Sequence, residues 1–368
     1  MKFMKDAMTK IEKAGISVGK SEPPTYWIPT GNYALNKIIS GSFIRGIPQG
    51  RITAFTGPSQ SGKSFNVANL MREAQNMGLY VVAVDSENAL DDDFVSKLGV
   101  DTENNYSYVA AGTIAECKKT VSSIIQGWKK EYDGVNEEDR EKVLIVIDSI
   151  NMLMTDNEQD QFEKGENKGD QGQKSKQVKS MLQSFTNNIR GTDITIAVTA
   201  QVYANQDLKN GKGVWVVNDS LQYSCSQIVL VTKLNLKDKI DNVITGIRMK
   251  CYGYKTRFAK PFESVTIEVP YEAGMDPFNG LLAIAESLGV VTKTGAWYTF
   301  SKTGDKFQSK NFSKYQDDIL DECEKLASSV HLEAIIADDV ESEDVGDGKT
   351  MKARRKEKFD ENILLEDD

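Results

Sequence analysis

The run Gly57-Pro58-Ser59-Gln60-Ser61-Gly62-Lys63-Ser64, with Phe65 behind it, restricts the folds open to this chain more than any other segment. It fits G-x-x-x-x-G-K-[ST], comes directly after the apolar residues 52–56 and opens a helix-period stretch over 65–77. A glycine-rich turn between strand and helix wraps closely around an anion, so that backbone N–H groups and the helix N-terminus face phosphates. In such a loop Lys63 reaches the β and γ oxygens of a nucleoside triphosphate, and Ser64 offers its hydroxyl to Mg²⁺.

A strand followed by a phosphate-binding helix belongs in a parallel sheet, and the rest of the chain agrees. Apolar β-type runs at 79–85, 143–148 and 194–199 alternate with helix-period stretches at 113–130 and 175–190. That alternation predicts an α/β fold, a mostly parallel sheet with helices on both faces. Residues 228–232, 245–251 and 264–269 form further β-type runs without helix signals between them, which predicts a β-meander extending the same sheet. A helix is expected over 277–288, then a small segment over 301–330. Residues 1–30 read as an N-terminal arm punctuated by Pro23, Pro24 and Pro29, with a short helix over 8–13. Two stretches, 151–174 and 202–220, lack periodicity and are too long for ordinary connections, so they read as functional loops.

Two acidic positions complete the chemistry. The buried-type run 143–147 ends in Asp148, placed where a carboxylate at the carboxyl end of a parallel strand holds a metal ion beside phosphate. Glu87 follows the next strand end, in Asp85-Ser86-Glu87. A carboxylate there can orient water as a general base; spacing alone equally allows it to cap the helix that follows.

Composition removes the main alternatives. The single histidine, His331, has no triad or zinc pattern around it, which excludes Ser-His-Asp and His-Glu-x-x-His chemistry. The four cysteines form no C-x-x-C pair and read as free thiols in a reducing compartment. Neither a signal-peptide pattern nor an apolar run of membrane-spanning length occurs, so a cytoplasmic protein without membrane association is expected. The net charge of −9 is uneven: residues 332–368 carry 13 acidic and 6 basic side chains, and subtracting that −7 leaves −2 for the body. Residues 331–368 thus read as an acidic, disordered tail, and a local basic groove elsewhere stays open.

Further motifs carry a family resemblance. Thr30-Gly31, Leu35-Asn36, the run Gly46-Ile47-Pro48-Gln49-Gly50-Arg51, the segment Asp85 to Asp91 and Lys97-Leu98-Gly99-Val100-Asp101 resemble RecA-type strand-exchange recombinases. Gly274-Met275-Asp276-Pro277 and Gly295-Ala296-Trp297-Tyr298 extend the likeness, which covers about residues 28–300. Met275-Asp276-Pro277 followed by Gly280-Leu281-Leu282 is most similar to the UvsX branch, from T-even-like tailed phages.

The resemblance implies a RecA-type P-loop ATPase core over 31–300, forming a head-to-tail helical filament on single-stranded DNA. Its implied activity is ATP- and Mg²⁺-dependent homologous pairing and strand exchange with double-stranded DNA. Glu87 matches the catalytic glutamate, Asp91 and Phe94 the acid and aromatic at adenine, and Tyr271 another adenine neighbour. Gln201 matches the γ-phosphate sensor, and Lys255 with Arg257 the pair that reaches a neighbouring subunit's ATP. Arginine at 257 adds a fork able to grip phosphate bidentately. The loops 151–174 and 202–220 then become DNA-binding loops, with Gly172, Lys174, Lys176 and Lys179 at the first. The second holds Tyr203, Lys209, Lys212 and Trp215, aromatics interleaved with cations as single-strand binding requires. Two features depart from the family pattern: an acidic first half of the first loop (Asp156, Glu158, Asp160, Glu163, Glu166), and Val216-Val217 where many relatives have glycines. A recombinase loader and a single-strand-binding protein are implied partners, in the cytoplasm of an infected bacterial host if the chain is phage-encoded. A ring-forming helicase on the same core, and a filament scaffold that uses nucleotide only as a switch, are the competing readings.

Overall fold

The computed structural model describes residues 2–13, 23–166, 172–204, 215–238 and 242–341. Helix α1 (Lys2–Lys13) leads into β1 (Trp27–Ile28), α2 (Tyr33–Ser40) and β2 (Ile47–Pro48), after which the central sheet begins at β3 (Ile52–Gly57). There follow α3 (Lys63–Asn76), β4 (Tyr80–Asp85), α4 (Asp92–Lys97), β5 (Tyr106–Ala110), α5 (Ile114–Glu131) and β6 (Val143–Asp148). Next come α6 (Asp156–Lys164), α7 (Gln173–Asn188), β7 (Ile194–Gln201), β8 (Tyr203–Ala204), β9 (Trp215–Val216) and α8 (Asp219–Ser224). The chain continues through β10 (Gln227–Lys237), β11 (Ile244–Lys255), β12 (Ser264–Pro270), α9 (Leu281–Ser287), β13 (Val291–Thr294), β14 (Trp297–Phe300), β15 (Lys306–Gln308) and α10 (Gln316–Glu341).

The eight-stranded sheet runs β12-β11-β10-β3-β7-β6-β4-β5. From β10 to β5 every neighbour is parallel, and β10, β11 and β12 form the expected antiparallel meander. Because side chains alternate across a strand, each buried strand feeds two cores. Val81, Ala83, Leu144 and Val146 pack with Val67, Leu70 and Met71 of α3, whereas Val82, Val84, Ile145 and Ile147 pack with Val121 of α5 and Leu182 of α7. Helices therefore cover both faces, the condition for strands this apolar.

Several boundaries differ from the sequence expectation. The arm reaches only as far as the residues before Tyr26, because Tyr26 and Ile28 are buried and β1 pairs with β2. Stretch 151–174 contains α6, and 202–220 contains the β8–β9 ladder and the start of α8. α6 escapes a periodicity test because DNEQDQFEK is polar on nearly every side. A reciprocal Thr155/Glu158 capping box and a left-handed Gly165 (φ 66°) mark its ends instead. The core does not end at residue 300: α9, the sheet β13-β14-β15 and the start of α10 share a third core with Phe43, Phe300 and Phe307. A division at 300 would cut between β14 and β15. The expected helix over 277–288 is confined to Leu281–Ser287, and that over 8–13 extends back to Lys2. A compact unit spans Met1–Ala327, and a second, Ser328–Asp368, holds the later turns of α10. The expected tail thus begins in helix as far as Glu341; residues 342–368 lie outside the described residues. No helix among the described residues is long and apolar enough to cross a membrane.

Candidate functional site

β3 ends in the loop that opens α3, and the loop's glycines have no room for side chains. A Cβ on Gly57 would stand 2.1 Å from the Val231 carbonyl oxygen and 2.5 Å from Ser61 Oγ. At Gly62 the backbone is left-handed, with φ 95°, and a Cβ would lie 2.5 Å from Met249 Sδ. α3 starts with no side-chain cap and no acidic residue in its first turn, which leaves its first N–H groups and positive end for an anion. Pro58 is half-buried, while Ser59 and Gln60 stand exposed at the loop's crest. Phe65 packs against the core below. Lys63, 9% exposed, donates from Nζ to the Pro58 carbonyl at 2.8 Å. Burial pulls its pKa down, against the opposing pull of Glu87 and Asp148.

β4 and β6 lie side by side with Asp85 opposite Asp148. Asp148 is buried: Oδ1 accepts the Thr199 hydroxyl, and Oδ2 has no hydrogen-bond partner among the described residues. Burial raises its pKa, opposed by the hydroxyls of Thr199 and Ser64 and reinforced by Glu87 and Asp85. Asp85 folds the following turn back on itself. Its carboxylate accepts the N–H groups of Glu87 and Leu90, both at 2.9 Å, and the Tyr108 hydroxyl at 3.3 Å. Glu87 is exposed, and its Oε1 accepts the Ser149 hydroxyl at 2.5 Å. The capping role that spacing allowed Glu87 belongs instead to Asp91, which accepts the Phe94 N–H at 2.8 Å at the start of α4.

Asp91 is exposed and Phe94 half-buried against the α3 side of the core. Tyr271, 64% exposed, follows β12, and among the described residues no hydrogen bond or ring contact joins it to either of them. Gln201 closes β7 opposite Gly57 and donates its N–H to Asn151 Oδ1 at 2.8 Å. Four strand ends, of β3, β4, β6 and β7, and the start of α3 bring Gly57, Lys63, Glu87, Asp148 and Gln201 to one end of the sheet. Lys255 and Arg257 lie toward the other: β11 runs antiparallel, and Lys255 lies in the row of Ile228 and Ala54, three residues back along β3 from Gly57. Lys255 Nζ donates to the Gln222 and Cys225 carbonyls at 2.5 and 2.8 Å, at the C-terminal end of α8. Arg257 is exposed. With Arg190 it acts on half-buried Arg51, whose pKa falls, first through burial and then through these two like charges.

The loop residues divide. Gly172, φ 75°, precedes α7; Lys174 pairs with Glu158 at 3.7 Å; Lys176 is exposed; Lys179 Nζ lies 4.9 Å above the Tyr223 ring. Tyr203 is 59% exposed, whereas Trp215 packs partly into the core. Val217 is fully buried in that same core, which accounts for an apolar residue where flexible glycines were the comparison. Lys209 and Lys212 lie outside the described residues. Sequence reasoning missed Ser149, Thr199, Asn151 and Met249. Only Ser149 had a local signal, its place directly after Asp148; the others meet the site through packing.

The RecA N-terminal domain family matches residues 2–276. The chain belongs to the RecA family. Among relatives, Protein RecA of Aquifex aeolicus is 29% identical over 310 residues, covering 81% of this chain and 82% of its own. Protein RecA of Thermus aquaticus is 26% identical over 314 residues, covering 82% and 85%. As a RecA-family protein the chain is a DNA-dependent ATPase that uses ATP, binds DNA, self-assembles into filaments and exchanges strands in recombination and repair.

Proposed function

We propose that ATP binds in the Gly57–Ser64 loop at a junction between filament subunits, and that its hydrolysis by Glu87 ends the DNA-bound state. The observation that carries this reading is the convergence of Lys63, at the start of α3, with Asp148 and Glu87, at the ends of the adjacent strands β6 and β4, beside a loop whose glycines would collide with any side chain. An orphaned, buried Oδ2 on Asp148 near the Ser64 hydroxyl suits a hydrated divalent cation, so Ser64 and Asp148 would hold Mg²⁺. Bound there, the ion supplies charge neutralisation to the phosphates.

The chain's own groups do the rest. Loop amides and Lys63 hold the triphosphate. Ser149 fixes one oxygen of the Glu87 carboxylate, leaving the exposed group to orient and deprotonate water at the γ-phosphate. Gln201, beginning the second loop, senses that phosphate, and Lys255 and Arg257 address the neighbouring subunit's nucleotide, a reading supported by their lying away from their own subunit's phosphate loop along β11. Asp91, Phe94 and Tyr271 serve the base. DNA is held by Lys174, Lys176 and Lys179 with Tyr203 and Trp215, and by Lys209 and Lys212. The finer assignment is a UvsX-like phage recombinase acting in the host cytoplasm with a loader and a single-strand-binding protein, supported by the Met275-Asp276-Pro277 motif.

Glu87→Gln tests the chemical step, being nearly isosteric but unable to accept a proton. Single-strand-dependent ATP turnover should fall about 10²-fold while ATP binding persists, and filaments should live longer in electron micrographs. Ordinary turnover in the variant would place the water-orienting group elsewhere. Turnover by the wild type without dependence on DNA would sink the recombinase reading in favour of a scaffold or another motor.

A further inference from the structure

The phosphate loop rests on the antiparallel meander, and each of its two close-packed glycines has its own support. Gly57 lies against the Val231 carbonyl of β10; Gly62 lies against Met249 of β11. Met249 is fully buried, paired with Lys233 on one side and Ile267 on the other, so its strand cannot shift without breaking two ladders. Its Sδ and Cγ would stand 2.5 and 3.5 Å from a Cβ on Gly62, with Ile247 Cδ1 next at 3.6 Å. Its Sδ also lies 3.6 Å from Asn66 Nδ2, which donates to the Gly62 carbonyl at 2.8 Å. Asn66 is 1% exposed, and its Oδ1 has no hydrogen-bond partner among the described residues. Apart from its bond to the loop, the amide's one polar contact among the described residues is thus with the sulfur, a weak acceptor on a side chain able to fill irregular space.

We propose that Met249 is a positioning residue of the nucleotide site: its thioether is the floor that holds Gly62 in its left-handed conformation and so keeps the first turn of α3 facing the phosphates. The proposal rests on the reading of residues 57–64 as the ATP site. A lateral consequence follows from the same strand. Lys255 lies six residues beyond Met249, about 20 Å along β11, and Arg257 two further on. One strand, with an extra residue at Tyr254 just before Lys255, therefore joins the floor of a subunit's own site to the cations proposed to meet its neighbour's nucleotide. Loss of the floor should weaken ATP binding and blunt the ATP cooperativity of filaments together, with less effect on the chemical step, because Glu87, Ser149 and Asp148 stand at or just past the ends of β4 and β6.

The test uses the full chain on single-stranded DNA, measuring half-saturating ATP, turnover at saturation, the Hill coefficient and Tm. Met249→Ala should raise half-saturating ATP about tenfold with saturated turnover within about threefold, the pattern of lost ground-state binding, and should lower the Hill coefficient. Met249→Leu, which keeps the volume, should stay within about twofold of wild type. Ile267→Ala, its buried partner on β12, should lower Tm and leave half-saturation unchanged. If Met249→Ala behaves like Ile267→Ala, Met249 is ordinary core and the proposal fails. Should Met249→Ala not fold, Met249→Val gives the same comparison with a smaller void. Lys63→Ala separates the two layers: unimpaired ATP binding there overturns the nucleotide reading itself, whereas lost binding there with an unmoved Met249→Ala overturns only the positioning role.

Discussion

The nucleotide end of the sheet and the two loops beyond it start from neighbouring strands yet are built on different terms. At the nucleotide end, β3, β4, β6 and β7 are almost entirely buried parallel strands, and their ladders set Asp85 beside Asp148 and, two residues further along, Gly57 beside Gln201. In the loops, α6 and the β8–β9 ladder are held by local devices: a capping box, a two-residue pairing, and ion pairs such as Lys174–Glu158. Chemistry needing sub-ångström placement sits on the first kind of support. A surface that must take any sequence of DNA can sit on the second.

The sharpest way to break that comparison lies toward the end of the sheet opposite the nucleotide loop. If rigid strands also place Lys255 and Arg257 for a neighbour's nucleotide, Arg257→Ala should cost about 10³ in single-strand-dependent turnover, in the range of other cations acting in trans. Arg257 is exposed, and among the described residues it makes no hydrogen bond or ion pair, so folding should be untouched. Lys255→Ala carries an added cost of about 1–3 kcal/mol, because the Gln222 and Cys225 carbonyls lose their donor. Mixing Arg257→Ala with Lys63→Ala protein should restore part of the activity, since some junctions then combine one intact half from each. Absence of rescue at every mixing ratio would remove catalysis in trans.

A smaller effect is expected at Asp148, where placement for chemistry conflicts with stability. Burial raises its pKa in the folded chain, so between the unfolded and folded values the native state holds the extra proton, and stability falls as pH rises through that window. In the ligand-free protein the ionised form of Asp148 is therefore the costly one. Asp148→Asn should raise the ligand-free Tm by about 1–3 °C, flatten the loss of stability above the ordinary carboxylate range, and abolish the stabilisation that Mg²⁺ with ATP gives the wild type. A lower ligand-free Tm would mean that the Thr199 bond outweighs burial.

Much of the nucleotide end could be read from the sequence because a phosphate loop, a strand ending in Asp148 and a turn carrying Glu87 are local patterns. Each needs its residues at fixed spacing. Ser149 and Thr199 orient those carboxylates across strands, and Met249 supports Gly62 from 187 positions away in sequence, so no window could have joined them. The reading of 151–174 as a loop failed for the opposite reason. Its helix is specified by two caps and by almost nothing between them, since DNEQDQFEK offers one apolar side chain, Phe162, and that one is 76% exposed.

That helix gives the gentlest test, because it places acidic groups where DNA phosphates are proposed to approach. Asp160 and Glu163 are exposed, and Glu158 occupies Lys174 at 3.7 Å. Two effects are separable. Asp160→Asn with Glu163→Gln removes charge and leaves the cap intact; Thr155→Ala removes the cap at a cost of about 1 kcal/mol and leaves the charge. If α6 opposes DNA by charge, the first variant should bind single-stranded DNA about two- to threefold more tightly at low salt. The gain should shrink as the Debye length falls to about 8 Å near physiological ionic strength. If α6 instead holds the first loop in shape, Thr155→Ala should weaken binding by a similar factor at every salt concentration, because the loss is conformational and unscreened. Fluorescence anisotropy of a labelled oligonucleotide across a salt series distinguishes the slopes. Parallel curves for wild type and both variants would place DNA away from this helix and confine the first loop's contribution to Lys176, Lys179 and the turn at Gly172.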